Sequence, residues 1–339
     1  MPKPKHILVI RLSAMGDVAM SVPVLRAFSK QYPDIKLTVL TRAFFKPFFR
    51  DLKNVSVFEA DLKGRHKGVL GLYKLSKELK VTGVVQVADL HNVLRTHILK
   101  IFFFGKTFKQ IDKGRNDKKA LVEGKVFKQL KTTHERYADV FRGLGYSLSL
   151  ENPDFPKQST LSEYIQEIIG SDNKNWIGIA PFAQYESKMY PLDLMECVIA
   201  SLSKKHKIIL FGGGKKEIKV LNGFQNKYSN VVNLAGKLNL SQELDVISNL
   251  DVMLAMDSGN AHIAAMLGIK VITVWNVTHP YAGFMPYNQP KEYAITANRE
   301  QFPLIPTSIY GNKYPEKYKD AARTIAPETI INTLESILK

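Results

Sequence analysis

The chain has 339 residues, 45% hydrophobic and 23% charged, an ordinary balance for a globular protein of two or three domains with a sizeable core. Its one cysteine, Cys197, rules out an intrachain disulfide and fits a reducing compartment, where a buried small hydrophobe is its expected role. The net charge of +17 is uneven: residues 1–150 carry 29 Lys+Arg against 12 Asp+Glu, and residues 151–339 carry 19 of each, so the first half is expected to meet a polyanion such as nucleic acid, anionic membrane or acidic glycolipid.

His6 to Ile10 reads as a buried first strand, followed by a turn over Arg11-Leu12-Ser13-Ala14-Met15-Gly16-Asp17 and a helix from Val18 to Tyr32. Arg11 and Asp17 interrupt this opening too early for a signal peptide. No apolar run approaches the ~20 residues of a spanning helix, and a cytoplasmic location is expected. Strands follow at 36–40, 55–58 and 83–87, with helical periodicity over 70–79. This alternation predicts an open parallel sheet with helices on both faces.

Residues 95–136 interleave Lys and Arg with Ile101, Phe102, Phe103, Phe104, Phe108 and Phe127. Either a solvated basic face over an apolar element or a surface resting on anionic lipid fits this composition. No recognised nucleic-acid motif accompanies the charge. Prolines and polar residues over 151–175 predict a linker with one short helix, 161–169.

A second β/α series then begins. Strands are expected at 176–180, 207–211, 252–256 and 271–275, and helices at 191–202, from Lys215, at 241–250 and at 327–338. Between the last two strands lies Asp257-Ser258-Gly259-Asn260-Ala261-His262, with Ile263, Met266 and Leu267 at helical spacing and Gly268 closing the segment. A small polar turn entering a helix leaves backbone N–H groups free to bind an anion. Helix capping by Asp257 or Ser258 is the plainer alternative.

Two signatures resemble the heptosyltransferases of glycosyltransferase family 9. One is Arg11 to Asp17 followed by Pro23; the other is Asp257 to His262 followed by Ala264-Ala265-Met266-Leu267-Gly268. Between them, Ser187-Lys188 before Tyr190-Pro191, Phe211-Gly212-Gly213-Gly214 with Glu217, and Leu234-Ala235-Gly236-Lys237 are similar to the same family. The resemblance implies a GT-B fold, an α/β architecture of two doubly wound Rossmann-like domains facing a central cleft. The expected domains are 1–155 for the acceptor and 156–339 for the nucleotide-sugar, with packing of the terminal helix back on the first domain left open.

The implied reaction is inverting transfer of heptose from ADP-heptose to a lipopolysaccharide or lipooligosaccharide core. Asp17 is the implied general base, and Ser13, Met15 and Gly16 are placed beside the acceptor. Lys188 is the implied phosphate-binding lysine, catalytic through the leaving diphosphate. Ser187, Gly212, Gly213, Glu217, Asp257, Ser258, Gly259 and His262 complete the expected nucleotide-sugar site, with Glu217 on the ribose. No metal constellation stands out, so cations and backbone N–H groups are expected to meet the leaving charge. No cofactor is expected, ADP-sugar being a substrate.

The expected partners are the nucleotide-sugar, an anionic glycolipid acceptor and the inner-membrane surface, met through the basic half; no nucleic acid is expected, and the chain is read as a peripheral monomer. One loop departs from the family: Trp275-Asn276-Val277-Thr278-His279-Pro280 stands where many members carry glycine-proline-threonine-aspartate-proline. This loop is expected to touch the donor, which leaves open another nucleotide-sugar or surface-glycan acceptor. A dinucleotide-dependent oxidoreductase or epimerase is a rival, weakened because the first turn lacks G-x-G-x-x-G. A non-enzymatic polyanion-binding protein is favoured by the charge alone.

Overall fold

In the computed structural model, residues 5–170 and 172–339 are described. The chain forms two compact units, 1–113 with 133–154, and 114–132 with 155–339.

The first unit is a five-stranded parallel sheet, in spatial order β3-β2-β1-β4-β5. Its strands are β1 (His6–Ile10), β2 (Lys36–Thr41), β3 (Val55–Glu59), β4 (Gln86–Asp89) and β5 (Thr107–Gln110). The helices are α1 (Met15–Gln31), α2 (Gly68–Val81), α3 (Leu94–Phe102) and, after an excursion that includes α4 (Arg115–Val122), α5 (Thr133–Gly143). β1 is buried on both faces, as a central parallel strand must be. On one side Leu8 and Ile10 join Leu72, Leu75 and Leu79 of α2 and Leu99 of α3. α1 packs with α5, where the Phe28 and Phe141 rings lie 4.7 Å apart.

The second unit is a six-stranded parallel sheet in the order β11-β10-β9-β6-β7-β8. α6 (Glu163–Ile169) precedes β6 (Trp176–Ala180), α7 (Leu192–Leu202), β7 (Lys207–Leu210), α8 (Gly214–Lys227) and β8 (Val231–Asn233). α9 (Leu240–Ile247), β9 (Val252–Met256), α10 (Gly259–Met266), β10 (Lys270–Trp275), β11 (Ala294–Thr296) and α11 (Pro327–Leu338) complete it. Ile177, Ile179, Leu254, Met256 and Ile272 of the strands share a core with Val198 of α7 and Leu334 of α11. The terminal helix thus packs on α7 of its own unit, by the apolar stripe Ile330 and Leu334.

Three local outcomes differ from the sequence reading. Cys197 is exposed, not buried: the buried stripe of α7 is Met195, Val198, Ile199 and Leu202, and Cys197 falls outside it. The fourth strand lies at 86–89, after Gly83 has turned the chain at a φ of +84°. The stretch 95–136 is not one surface. Its first part forms α3 and β5 of the first unit, whereas 114–132 packs with the second. There Leu130 N–H donates to Tyr281 O at 2.9 Å, Leu121 and Leu130 cluster with Ala282, and Lys118 Nζ sits 4.2 Å from the Phe284 ring centre. The charge divides accordingly: the first unit holds 23 Lys+Arg and 12 Asp+Glu, the second 25 and 19.

Candidate active site

In a doubly wound sheet the strand order reverses beside the strand that starts the unit, and the loops at the carboxyl ends there part to leave a crevice. In the second unit that point lies between β6 and β9. After β9 come Asp257 and Ser258; after β6, a 3-10 turn Glu186–Lys188. Lys188 Nζ lies 2.8 Å from Asp257 Oδ2, with both side chains largely buried. Thr278, after β10, donates its hydroxyl to the same Asp257 oxygen at 2.9 Å.

Neither Asp257 nor Ser258 caps α10 by its side chain. Ser258 occupies the N-cap position but makes no capping bond, and the Asp257 carboxylate is held by an ammonium and a hydroxyl, stronger partners than a helix amide. Ser258 Oγ is buried with no hydrogen-bond partner among the described residues. Gly259 opens α10 and His262 is buried within its first turns. An ammonium, an unsatisfied hydroxyl and the first amides of a helix are the parts of an anion site.

Lys188 is fixed from behind. Ser187 donates its hydroxyl to Gly311 O, and Val277 N–H donates to Ser187 O at 3.3 Å. Gly311 has a φ of +77°, and a Cβ there would stand 2.5 Å from Lys188 Cγ. Only glycine lets this backbone lie along the lysine stem. At the end of the neighbouring β7, Glu217 Oε2 accepts from Gly213 N–H at 2.7 Å, and a Cβ on Gly212 would stand 3.0 Å from that oxygen. Glu217 is folded back over the start of α8 rather than extended into solvent.

The divergent loop after β10 is mostly built into the fold. Asn276 donates to Lys319 O at 3.1 Å and to Met189 O at 3.3 Å, and accepts from Ala322 N–H at 2.9 Å. Val277 packs with Ala297, Ile305, Tyr318 and Ala321. His279 stacks edge-on with Phe127 and Tyr281, while Arg299 lies 3.4 Å over Phe127. Burial, aided by Arg299, lowers the His279 imidazolium pKa to about 4.

In the first unit the reversal lies between β1 and β4. Arg11 follows β1 and is buried. Its guanidinium donates to Leu90 O at 2.6 Å and pairs with Asp17 Oδ2 at 2.5 Å. Burial works against the Arg11 charge, but Tyr137, Asp17 and Asp89 more than offset it, and the group is held as a cation. Asp17 is in the first turn of α1, where its carboxylate also accepts from Ala14 N–H at 3.2 Å. Tyr137 donates its hydroxyl to Asp17 O at 3.2 Å. Ser13, Met15 and Gly16 line the same turn, half-buried. From β4, Asp89 Oδ1 accepts from the amides of His91 and Asn92, both at 2.9 Å. Burial, then Arg11, pushes the His91 pKa down to about 4.

The structure therefore brings Ser187, Lys188, Asp257, Ser258 and Gly259 together, puts Gly212, Gly213 and Glu217 on the next strand end, and places Ser13, Met15, Gly16 and Asp17 in the other unit. Sequence reasoning gave no role to Arg11, Asp89, His91, Thr278 or Gly311. Arg11 stood inside the first motif, and Gly311 is one glycine among 21; only tertiary contacts single them out. Among the described residues, no group of three or more His, Cys, Asp or Glu is placed to hold a metal ion.

Two doubly wound units in one chain, with a lysine and an unpartnered serine hydroxyl at the carboxyl ends of one and a cation-held carboxylate at those of the other, fit the plan of a GT-B glycosyltransferase. The sequence profile of glycosyltransferase family 9 (heptosyltransferase) matches residues 79–306, and the chain belongs to that family. It is 25% identical over 295 residues to the lipopolysaccharide core heptosyltransferase OpsX of Haemophilus influenzae, covering 84% of this chain and 82% of that one. Among solved structures it is similar to a glycosyl transferase family 9 protein from Veillonella parvula, at a TM-score of 0.76 and 18% identity, over 100% of this chain and 98% of the other. It is also similar to the E. coli heptosyltransferase WaaC solved with ADP, at a TM-score of 0.69 and 18% identity over 98% and 99% of the two chains. The same enzyme has been solved with ADP-2-deoxy-2-fluoro heptose.

Proposed function

We propose that this chain is an inverting glycosyltransferase that moves heptose from ADP-heptose to a lipopolysaccharide or lipooligosaccharide core acceptor. The observation that carries the reading is the Lys188–Asp257 pair beside the unsatisfied Ser258 hydroxyl at the start of α10. Asp257 neutralises the largely buried Lys188 ammonium. A diphosphate offers that ammonium a second anionic partner, and offers Ser258 and the α10 amides the partner they lack. Glu217, poised over Gly213, is assigned to the ribose hydroxyls, and His262 to the phosphates or donor sugar.

In the reaction an acceptor hydroxyl oxygen attacks the anomeric carbon. The bond from that carbon to the β-phosphate oxygen breaks, the electron pair leaves with ADP, and the hydroxyl proton passes to Asp17. Arg11 holds and aims the Asp17 carboxylate, which accepts the proton as the C–O bond forms. Ser13, Met15 and Gly16 flank the acceptor. Lys188 and the α10 N-terminus meet the charge growing on the diphosphate, where preorganised donors act most strongly.

The departure at Asn276-Val277 supports no change of donor, because those side chains stitch β10 to the C-terminal segment. The acceptor is lipid-linked and anionic, which accounts for the basic first unit, and the enzyme works as a cytoplasmic monomer at the inner-membrane surface. Calorimetry with ADP and ADP-heptose tests the donor site. Binding of both, lost in Lys188→Ala, is the expected result; binding of neither removes the assignment.

A further inference from the structure

α2 and α3 lie side by side on one face of the first sheet, with Tyr73 and Phe102 in edge-to-face contact at 5.4 Å. Both bury an apolar stripe beneath them: Leu72, Leu75 and Leu79 from one, Leu99 from the other. Their outward sides are not polar. Leu70 is 84% exposed on α2, Leu94 77% and Ile101 70% on α3, and Phe104, in the turn after α3, 95%. Val69, Tyr73 and Val81 are exposed on α2 as well. Single exposed apolar residues are common, but this many on two adjacent helices are not.

The charges among them have one sign. Between residues 67 and 106 there are seven cations, Lys67, Lys74, Lys77, Lys80, Arg95, Lys100 and Lys106, and two acids. Neither acid offsets that face: Asp89 is buried and hydrogen-bonded, and Glu78 is engaged by Arg65 at 2.7 Å. The lysines lean along apolar rings, Lys77 Nζ lying 4.6 Å from the centre of Tyr73 and Lys100 Nζ 5.8 Å from that of Phe108. A long stem on an apolar surface with an exposed cationic head is the arrangement of an interfacial side chain, and the Lys100 ammonium also donates to Gln110 Oε1 at 3.1 Å.

We propose that the outward face of α2 and α3 docks on an anionic lipid bilayer, with Leu70, Leu94, Ile101 and Phe104 entering the acyl boundary and the lysines meeting headgroup phosphates. The proposal rests on the reading above that the acceptor is lipid-linked. Charge decides among occupants. A second copy would set seven cations against seven, and a nucleic acid has no use for four exposed apolar side chains. A bilayer surface satisfies both sets. The surface also moves the membrane contact away from 114–132, which packs in the other unit.

The test is flotation of the full chain with phosphatidylcholine vesicles, with and without phosphatidylglycerol. Binding that requires phosphatidylglycerol and weakens with salt is expected. The triple variant Lys74→Gln, Lys77→Gln, Lys100→Gln is expected to lose about a hundredfold in partition at low salt. Leu70→Ser with Phe104→Ser is expected to lose about tenfold or more, while both variants turn over a delipidated core acceptor at the wild-type rate. Unchanged vesicle binding in both variants overturns the surface, as does concentration-dependent dimerisation abolished by the same changes, which assigns the face to a second copy. Vesicle binding as described without heptose transfer to any core acceptor leaves the surface standing and removes the functional reading instead.

Discussion

Gly311→Ala perturbs Lys188 without removing any charged or hydrogen-bonding group. The backbone at Gly311 has a φ of +77°, where a side chain costs about 1–2 kcal/mol. The new Cβ would stand 2.5 Å from Lys188 Cγ, 2.8 Å from Cδ and 3.5 Å from Ser187 Oγ. Lys188 cannot swing clear cheaply, because its ammonium is anchored 2.8 Å from Asp257 and the side chain is largely buried. Overpacking of this kind costs about 1–3 kcal/mol. The sum is about 2–5 kcal/mol if nothing yields, or roughly 4–20 °C in melting temperature for a unit of this size. If the stem yields instead, the ammonium leaves its place and the loss moves to nucleotide binding, at about 10- to 100-fold for one charge-assisted bond. Thermal melting with and without ADP, with calorimetric titration of ADP, reads both outcomes. A variant that melts and binds ADP like the wild type refutes the packing of Gly311 against the phosphate lysine.

Other expectations follow from the same geometry. Asp17→Asn is expected to reduce transfer by about 10²- to 10⁴-fold with ADP affinity unchanged, read by steady-state kinetics and calorimetry; turnover at the wild-type rate removes the general-base role. Arg11→Met is expected to lower kcat with ADP affinity unchanged, since Asp17 loses the guanidinium that holds it; a kcat equal to the wild type contradicts that positioning role. His279 is held neutral, with a pKa near 4 against 6.5 for the free side chain. The unfolded chain therefore takes up the proton first, so this contribution is complete above about pH 6.5 and is lost as pH falls toward 4. His279→Phe is expected to flatten the melting temperature across that window, and a profile with the wild-type slope contradicts it.

The sequence disclosed the fold where periodicity was strong. β1, β6, β9 and α11 fall at the residues their apolar patterns mark, since central strands are buried on both faces and their alternatives are few. Of the edge strands, β3 falls where its pattern marks it, at Val55–Glu59, whereas the other three were not legible. β8 and β11 are three residues each, and β5 is Thr-Phe-Lys-Gln, exposed on alternate residues; they exist because a neighbouring strand offers a ladder. The basic composition of 95–136 also hid α3, β5 and α4, whose cations, apart from the buried Lys118 of α4, lie outside their buried stripes.

The site shows the same division. Its motifs are local and readable, and their partnerships are not. Nothing in the sequence ties Lys188 to Asp257, Arg11 to Leu90, or Gly311 to the lysine stem, because each pairing depends on the order of the strands. For the same reason the Asp257-Ser258 turn reads in sequence as either an anion site or a helix cap, whereas in the fold its carboxylate serves Lys188 and its serine is unsatisfied.

The central claim is heptose transfer by Asp17 with the diphosphate held at Lys188. Its most direct test is acceptor-dependent release of ADP from ADP-heptose, with a delipidated lipopolysaccharide core as acceptor and the anomeric configuration of the product determined by NMR. The account predicts ADP release only when acceptor is present, an inverted product, and loss of release but not of ADP binding in Asp17→Asn. Release at the same rate without acceptor, retention of configuration, or full activity in Asp17→Asn would contradict it.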